Sequence, residues 1–274
     1  MKSIDLYSLL NSKNPRLAKR IPRFVINRLS RIIHQQEVND ILAAYAGLEG
    51  IDFVRAALRH MKVSYSAPAM QKLDPAGRYV FASNHPFGGM DGLMLADEVY
   101  SCFGNVKVIV NDLLMNLDPI KNLFIPVNKH GRQSSDAARL FNETFASDTP
   151  IVTFPAGLCS RRSGGIVADV DWKPNFLKKA AAYDRLVVPV YFDGRLSDFF
   201  YRLSNFRKAV GVKANIEQVF LVDEMFRQAG KTFEIIVGEP LQADRLLENN
   251  NTAFQAAQSV KQIVYSLSSS GSGR

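Results

Sequence analysis

Apolar and polar positions alternate along this chain in two periods. Short apolar runs at Tyr79–Ala82, Val106–Val110, Leu123–Val127, Ile151–Phe154, Leu186–Phe192 and Phe233–Val237 are too brief and too β-branched for helices, and they predict buried strands. Between them, apolar residues recur at three- and four-residue spacing. This predicts helices starting near Leu93–Ala96, after a cap at Ser134 or Ser135, over Asn175–Tyr183 and over residues 252–267. Residues 197–229 read as two helices with Gly211 near their junction, and Val63–Tyr65 as a first strand. Strands alternating with helices predict an α/β fold with a largely parallel central sheet and helices on both faces. Pro189 lies inside Leu186–Phe192, which a central strand tolerates poorly.

The first 66 residues follow a different pattern. Lys13, Arg16, Lys19, Arg20, Arg23, Arg28 and Arg31 interleave with Leu17, Ile21, Phe24, Val25, Leu29 and Ile32, and no acidic residue lies between Asp5 and Glu37. Such a basic amphipathic segment suits an anionic membrane surface. It is equally compatible with an arm packed on the domain, its basic face in water. Pro15 and Pro22 interrupt it, so a single helix is not expected. Residues 37–61 predict a helical pair punctuated by Gly47 and Gly50. The expected division is a basic arm and helical pair over 1–66, an α/β domain over 67–267, and a flexible Ser/Gly tail over 268–274.

Composition narrows the classes. A chain of 274 residues with 47% hydrophobic and 22% charged residues builds a packed core. Its two cysteines, Cys102 and Cys159, form no disulfide framework and no metal-ligand spacing, which suits the cytoplasm. No signal-peptide pattern opens the chain, and no apolar run is long enough to span a bilayer. The net charge of +8 calls for nucleic acid, anionic lipid or an acidic carrier protein. Helix-turn-helix, zinc-finger and base-stacking signatures are all missing, so no nucleic-acid partner is expected.

Three polar clusters sit at expected strand ends, where ligands of open α/β sheets bind. The first is Asn84-His85-Pro86-Phe87-Gly88-Gly89-Met90-Asp91-Gly92. His85 can take a proton from a hydroxyl near neutral pH, and Asp91 can orient its ring. Gly88 and Gly89 let backbone N–H groups approach a reacting oxygen. The second cluster is Asn128-Lys129-His130-Gly131-Arg132; the third, Pro155-Ala156-Gly157-Leu158-Cys159-Ser160-Arg161-Arg162. Their cations suit an anionic group. A solvated loop is the plainer reading of Arg161 and Arg162, and exposure that of His130. Cys159 has no adjacent histidine to activate it. No nucleophile elbow, Walker A loop or dinucleotide fingerprint is present.

The order Asn84-His85…Asp91, Phe124-Ile125-Pro126-Val127…Arg132, Phe154-Pro155-Ala156-Gly157…Ser160-Arg161, Val188-Pro189-Val190 resembles the blocks of the glycerolipid acyltransferases, the lysophosphatidic acid acyltransferase superfamily. The resemblance spans roughly residues 60–242 and includes Gly238-Glu239-Pro240-Leu241. Two positions depart from it. The five residues Pro86 to Met90 separate His85 from Asp91, one more than usual, and Ala156 stands where a glutamate is usual. The Asn-His-Pro-Phe-Gly-Gly-Met-Asp-Gly form resembles a haemolysin-like bacterial branch that includes O-acyltransferases of ornithine and glycine lipids. The resemblance implies transfer of an acyl group from acyl carrier protein or acyl-coenzyme A to a lysolipid hydroxyl. His85 would be the base and Asp91 its orienter. Gly88, Gly89 and Gly157 would surround the oxyanion, and Arg132, Lys129, Arg161, Arg162 and Ser160 would hold the acceptor. No metal or redox cofactor is required, and the protein is expected on the inner face of the cell membrane. A relative that kept the fold as a lipid-binding protein and lost the chemistry is the alternative, favoured by the longer spacing and Ala156.

Overall fold

A computed structural model describes residues 4–13, 15–127 and 135–270. Among the described residues are ten strands: β1 Ser64–Ser66, β2 Tyr79–Ser83, β3 Lys107–Asn111, β4 Phe124–Val127, β5 Ile151–Thr153, β6 Arg161–Ser163, β7 Ile166–Ala168, β8 Leu186–Phe192, β9 Thr232–Val237 and β10 Leu241–Gln242. Seven run in the order β1-β9-β8-β2-β5-β3-β4, with β10 on β8. β2 is parallel to both β5 and β8, β3 to β4 and β5, and β1 to β9. The antiparallel pairs of this sheet are β8–β9 and β8–β10, and β6 and β7 form a separate antiparallel hairpin.

Period-two patterning makes two cores from one sheet. Phe81, Val188 and Val190 face a layer that includes Phe53, Val54 and Leu58 of the helix Gly50–His60 and Met94 and Leu95 of the helix Met90–Phe103. Val80, Ala82, Ile151 and Val187 face the other way, toward Phe176 and Leu177 of the helix Asn175–Ala182 and Ala256, Val260 and Val264 of the helix Ala253–Ser270. Each buried Phe, Leu or Ile contributes about 1.5–3 kcal/mol, so the two layers fix the sheet between them.

Pro189 is accommodated by its direction. Its carbonyl points away from β2 and accepts the Gly238 N–H at 2.9 Å. A residue's N–H and C=O leave a strand on the same side, so the missing donor also faces Gly238, beyond the last β8–β9 pair at Val190 and Val237.

Two expected boundaries move. β1 joins the main sheet through β9 and the helix Gly50–His60 shares its core, so residues 50–66 belong to the α/β body. The last helix runs through Ser270, with the Ser268 hydroxyl donating to the Tyr265 carbonyl at 2.7 Å, so the tail does not begin at 268. The described residues of the basic arm are helical over Leu6–Lys13, Pro15–Arg20 and Arg23–Ile32, with Pro22 directly before the last of these. Asn39 clasps the Ile4 backbone from both sides, and His34 reaches Asp223 at 3.0 Å. The arm is therefore tied to the body, while Phe24 stays exposed.

Candidate active site

The site is built where β2 leaves the sheet. Beyond the last β2–β8 pair, the Asn84 carboxamide takes over from the backbone. Its Nδ2 donates to the Phe192 carbonyl at 2.9 Å and its Oδ1 accepts the Phe192 N–H at 2.8 Å. This clasp carries the edge of the sheet up to His85. Phe87 is buried over Gly194, where a Cβ would come within 2.0 Å of the Phe87 ring, so only glycine fits there.

Asp91 sits in the first turn of the helix Met90–Phe103 and is fully buried. One carboxylate oxygen accepts His85 Nδ1 at 2.9 Å and the Phe87 N–H at 3.0 Å. The other accepts the N–H groups of Gly89 and Gly92, both at 3.0 Å. Four donors and the positive end of the helix hold this carboxylate in place. The extra residue between His85 and Asp91 is absorbed by Gly88, whose φ of +72° lies in the left-handed region. The two side chains thus meet across the longer loop.

With Nδ1 donating to Asp91, the lone pair of the imidazole lies on Nε2. The ring stacks on Phe154, with centroids 4.2 Å apart, and is 17% exposed. This is the arrangement of a histidine base with a carboxylate orienter.

A second buried carboxylate escaped the sequence reading. Asp169 Oδ1 accepts the His85 backbone N–H at 3.2 Å and the Ser160 hydroxyl at 2.6 Å, while Oδ2 accepts Trp172 Nε1 at 2.9 Å. The Ser160 N–H donates to the His85 carbonyl at 2.8 Å. Asp169 and Ser160 together grip His85 by its backbone. Burial raises the Asp169 pKa above the ordinary carboxylate value, against the hydrogen bonds from Ser160 and Trp172.

Several expected contacts take other roles. The Gly89 N–H is donated to Asp91 and the Gly157 N–H to the Phe154 carbonyl at 2.9 Å, so neither is aimed at a reacting oxygen. The Gly88 N–H meets no acceptor among the described residues. Arg161 is buried and paired with Glu217 at 2.9 Å, a carboxylate that also faces Arg207. Its charge is spent inside the fold, because a buried guanidinium without its carboxylate would be costly. Arg162 pairs with Asp198. The Ser160 hydroxyl is committed to Asp169. Burial pushes the Cys159 thiol up to about 11, which favours the protonated, unreactive form at neutral pH. Lys129, His130 and Arg132 lie outside the described residues.

A family model described as "Acyltransferase" matches residues 8–272. The chain belongs to this acyltransferase family. This acyltransferase is 42% identical over 265 residues to a protein of Bacteroides thetaiotaomicron named "Lyso-glycine lipid O-acyltransferase", covering 96% of this chain and 97% of that one. It is equally similar, at 42% identity over 96% of this chain and 95% of that one, to a protein of the same name from Phocaeicola vulgatus. Among solved structures, the 1-acyl-sn-glycerophosphate acyltransferase PlsC of Thermotoga maritima matches with a TM-score of 0.48 at 12% identity, over 92% of this chain and 93% of that one. No helix among the described residues is long and apolar enough to cross a membrane.

Proposed function

We propose that this acyltransferase completes an amino-acid-containing lipid, moving a fatty acyl group from a thioester to the free hydroxyl of a lyso-glycine lipid. The observation that carries the chemistry is the 2.9 Å contact between His85 Nδ1 and the buried Asp91 carboxylate. His85 Nε2 takes the proton of the acceptor hydroxyl as its oxygen attacks the thioester carbonyl. Asp91 stabilises the imidazolium that forms, and the Gly88 N–H stands ready for the oxyanion. As the intermediate collapses the C–S bond breaks, the ester forms, and the imidazolium returns its proton to the thiolate. The acyl donor is acyl carrier protein or acyl-coenzyme A, both anionic, which suits the net charge of +8. The protein works peripherally, on the inner face of the cell membrane.

The acceptor rests on the two relatives and on residue 156. Ala156 is buried against the second core, so this position presents no charge to an acceptor headgroup. The test is esterification of purified lyso-glycine lipid, with lysophosphatidate beside it, by an acyl thioester. Wild-type protein should consume the lyso-glycine lipid, and His85→Ala should lower kcat at least about a thousandfold with its melting temperature retained. Near-normal turnover by His85→Ala would remove the base from this scheme, and a preference for lysophosphatidate would remove the acceptor.

A further inference from the structure

The helix Asp198–Ala209 turns two different faces to its surroundings. Phe200, Tyr201, Ser204 and Arg207 are buried. They grip the hairpin that leaves the site, with the Arg161 guanidinium 5.3 Å from the Phe200 ring and that of Arg162 5.0 Å from Tyr201. Phe199 and Phe206, seven residues apart and so on one face, are 51% and 66% exposed. The chain that follows adds exposed Val210, Val212, Ile216 and Val219. Large apolar side chains crowded over so short a stretch mark an interaction surface, not ordinary scatter.

The exposed charges on this stretch are mostly of one sign. Arg195, Arg202, Lys208 and Lys213 are exposed. The acidic residues between Arg195 and Val219 are Asp198 and Glu217. Asp198 is paired with Arg162 and Arg195, and Glu217 is buried beneath Arg161 and Arg207. Exposed aromatics with cations beside them fit the boundary of an anionic bilayer, where rings enter the acyl region and long basic side chains reach the headgroups. The same segment leads into Leu221, whose side chain lies 2.9 Å from where a Cβ on Gly88 would be. The stretch therefore ends beside the His85 loop.

We propose that residues 195–219 form the face by which this protein docks on an anionic bilayer, presenting the His85 loop to lipid held in that bilayer. The proposal rests on the lipid acceptor argued above, but its test reads binding without turnover, so failure of lysolipid acylation leaves the binding result standing. Vesicles of phosphatidylglycerol and phosphatidylcholine, free of lysolipid, are sedimented with protein in low salt. Wild type should co-sediment, and the exposed double variant Phe199→Ser/Phe206→Ser should bind at least about tenfold more weakly, with an unchanged melting temperature. Lys208→Glu/Lys213→Glu should lose binding likewise, and added salt should weaken the wild type. Dispersed short-chain acceptor should still be acylated by both variants at the wild-type rate.

Wild type that fails to sediment would overturn the proposal. So would variants that bind as wild type while Phe24→Ser does not, which would assign the contact to the N-terminal arm. Selective loss of turnover with carrier-borne donor, vesicle binding being retained, would make the face a carrier site instead. A wild-type dimer that the Phe199→Ser/Phe206→Ser variant dissociates would make it a contact between copies.

Discussion

Two buried aspartates flank His85, and they hold different parts of it. Asp91 touches the ring, 2.9 Å from Nδ1, and is otherwise satisfied by three backbone N–H groups of its own loop and helix start. Asp169 touches the backbone of the same residue and draws its other donors from Ser160 and Trp172. The ring partner, as an acceptor at Nδ1, sets the tautomer of His85. The backbone partner sets where the base stands. The proposed proton transfer needs both, because orientation is lost if either the ring or its anchor can move.

Replacing Asp91 should have the largest effect. In Asp91→Asn the amide no longer demands the Nδ1–H tautomer, and one of its atoms becomes a donor among four donors. Activity should fall about a thousandfold to ten-thousandfold, mostly in kcat. Leaving buried N–H groups unpaired should also cost about 1–3 kcal/mol of stability. Kinetics on the purified variant, with its melting curve, check both. If kcat falls less than tenfold, Asp91 is not the orienter and the contrast between the two carboxylates collapses.

The two aspartates also differ in how readily a sequence reveals them. Asp91 follows His85 by six residues in a glycine-rich loop, so the pair is a local pattern. Asp169 meets His85 across 84 residues, and no spacing encodes such a contact. The same holds for Arg161 and Arg162, adjacent and identical on paper. A carboxylate 56 residues away draws Arg161 inside, and Asp198, on the exposed side of its helix, takes Arg162. Strands read well from their apolar runs, but direction did not. β9 runs antiparallel to β8, and the long segment 193–231 between them allows either approach, so the direction leaves no local signal. The hairpin β6–β7 carries little apolar signal because each strand has three residues, and Gly164-Gly165, both at positive φ, is its one local turn signal.

Replacing Asp169 should cost less in rate and show itself in pH dependence. Burial holds its pKa above the ordinary 3.8. The native state therefore keeps this proton to higher pH than the unfolded chain does. Its contribution to stability declines as pH rises from about 3.8 to the raised value, and is level beyond it. Asp169→Asn removes that slope. At neutral pH the amide must turn one nitrogen toward a donor, at a cost of about 1–3 kcal/mol, and activity should fall about tenfold as His85 loses its anchor. Denaturant melts of both proteins across the acid range would show it; parallel curves would mean that Asp169 does not titrate in this way.

Ser160 decides whether the third cluster holds substrate or holds the histidine. As an acceptor-binding residue, its loss would raise KM. As the 2.6 Å partner of Asp169, its loss should leave KM unchanged and cost about 1.5 kcal/mol of stability, the worth of one hydrogen bond to a charged group. The hydroxyl also lowers the Asp169 pKa, so Ser160→Ala should push that pKa up further and carry the decline in stability to higher pH than in wild type. The substitution removes one buried oxygen and adds no bulk, so an effect on KM alone would have no structural route through Asp169. A higher KM with an unaltered pH profile would return Ser160 to the acceptor site and leave the histidine anchored by Asp169 without it.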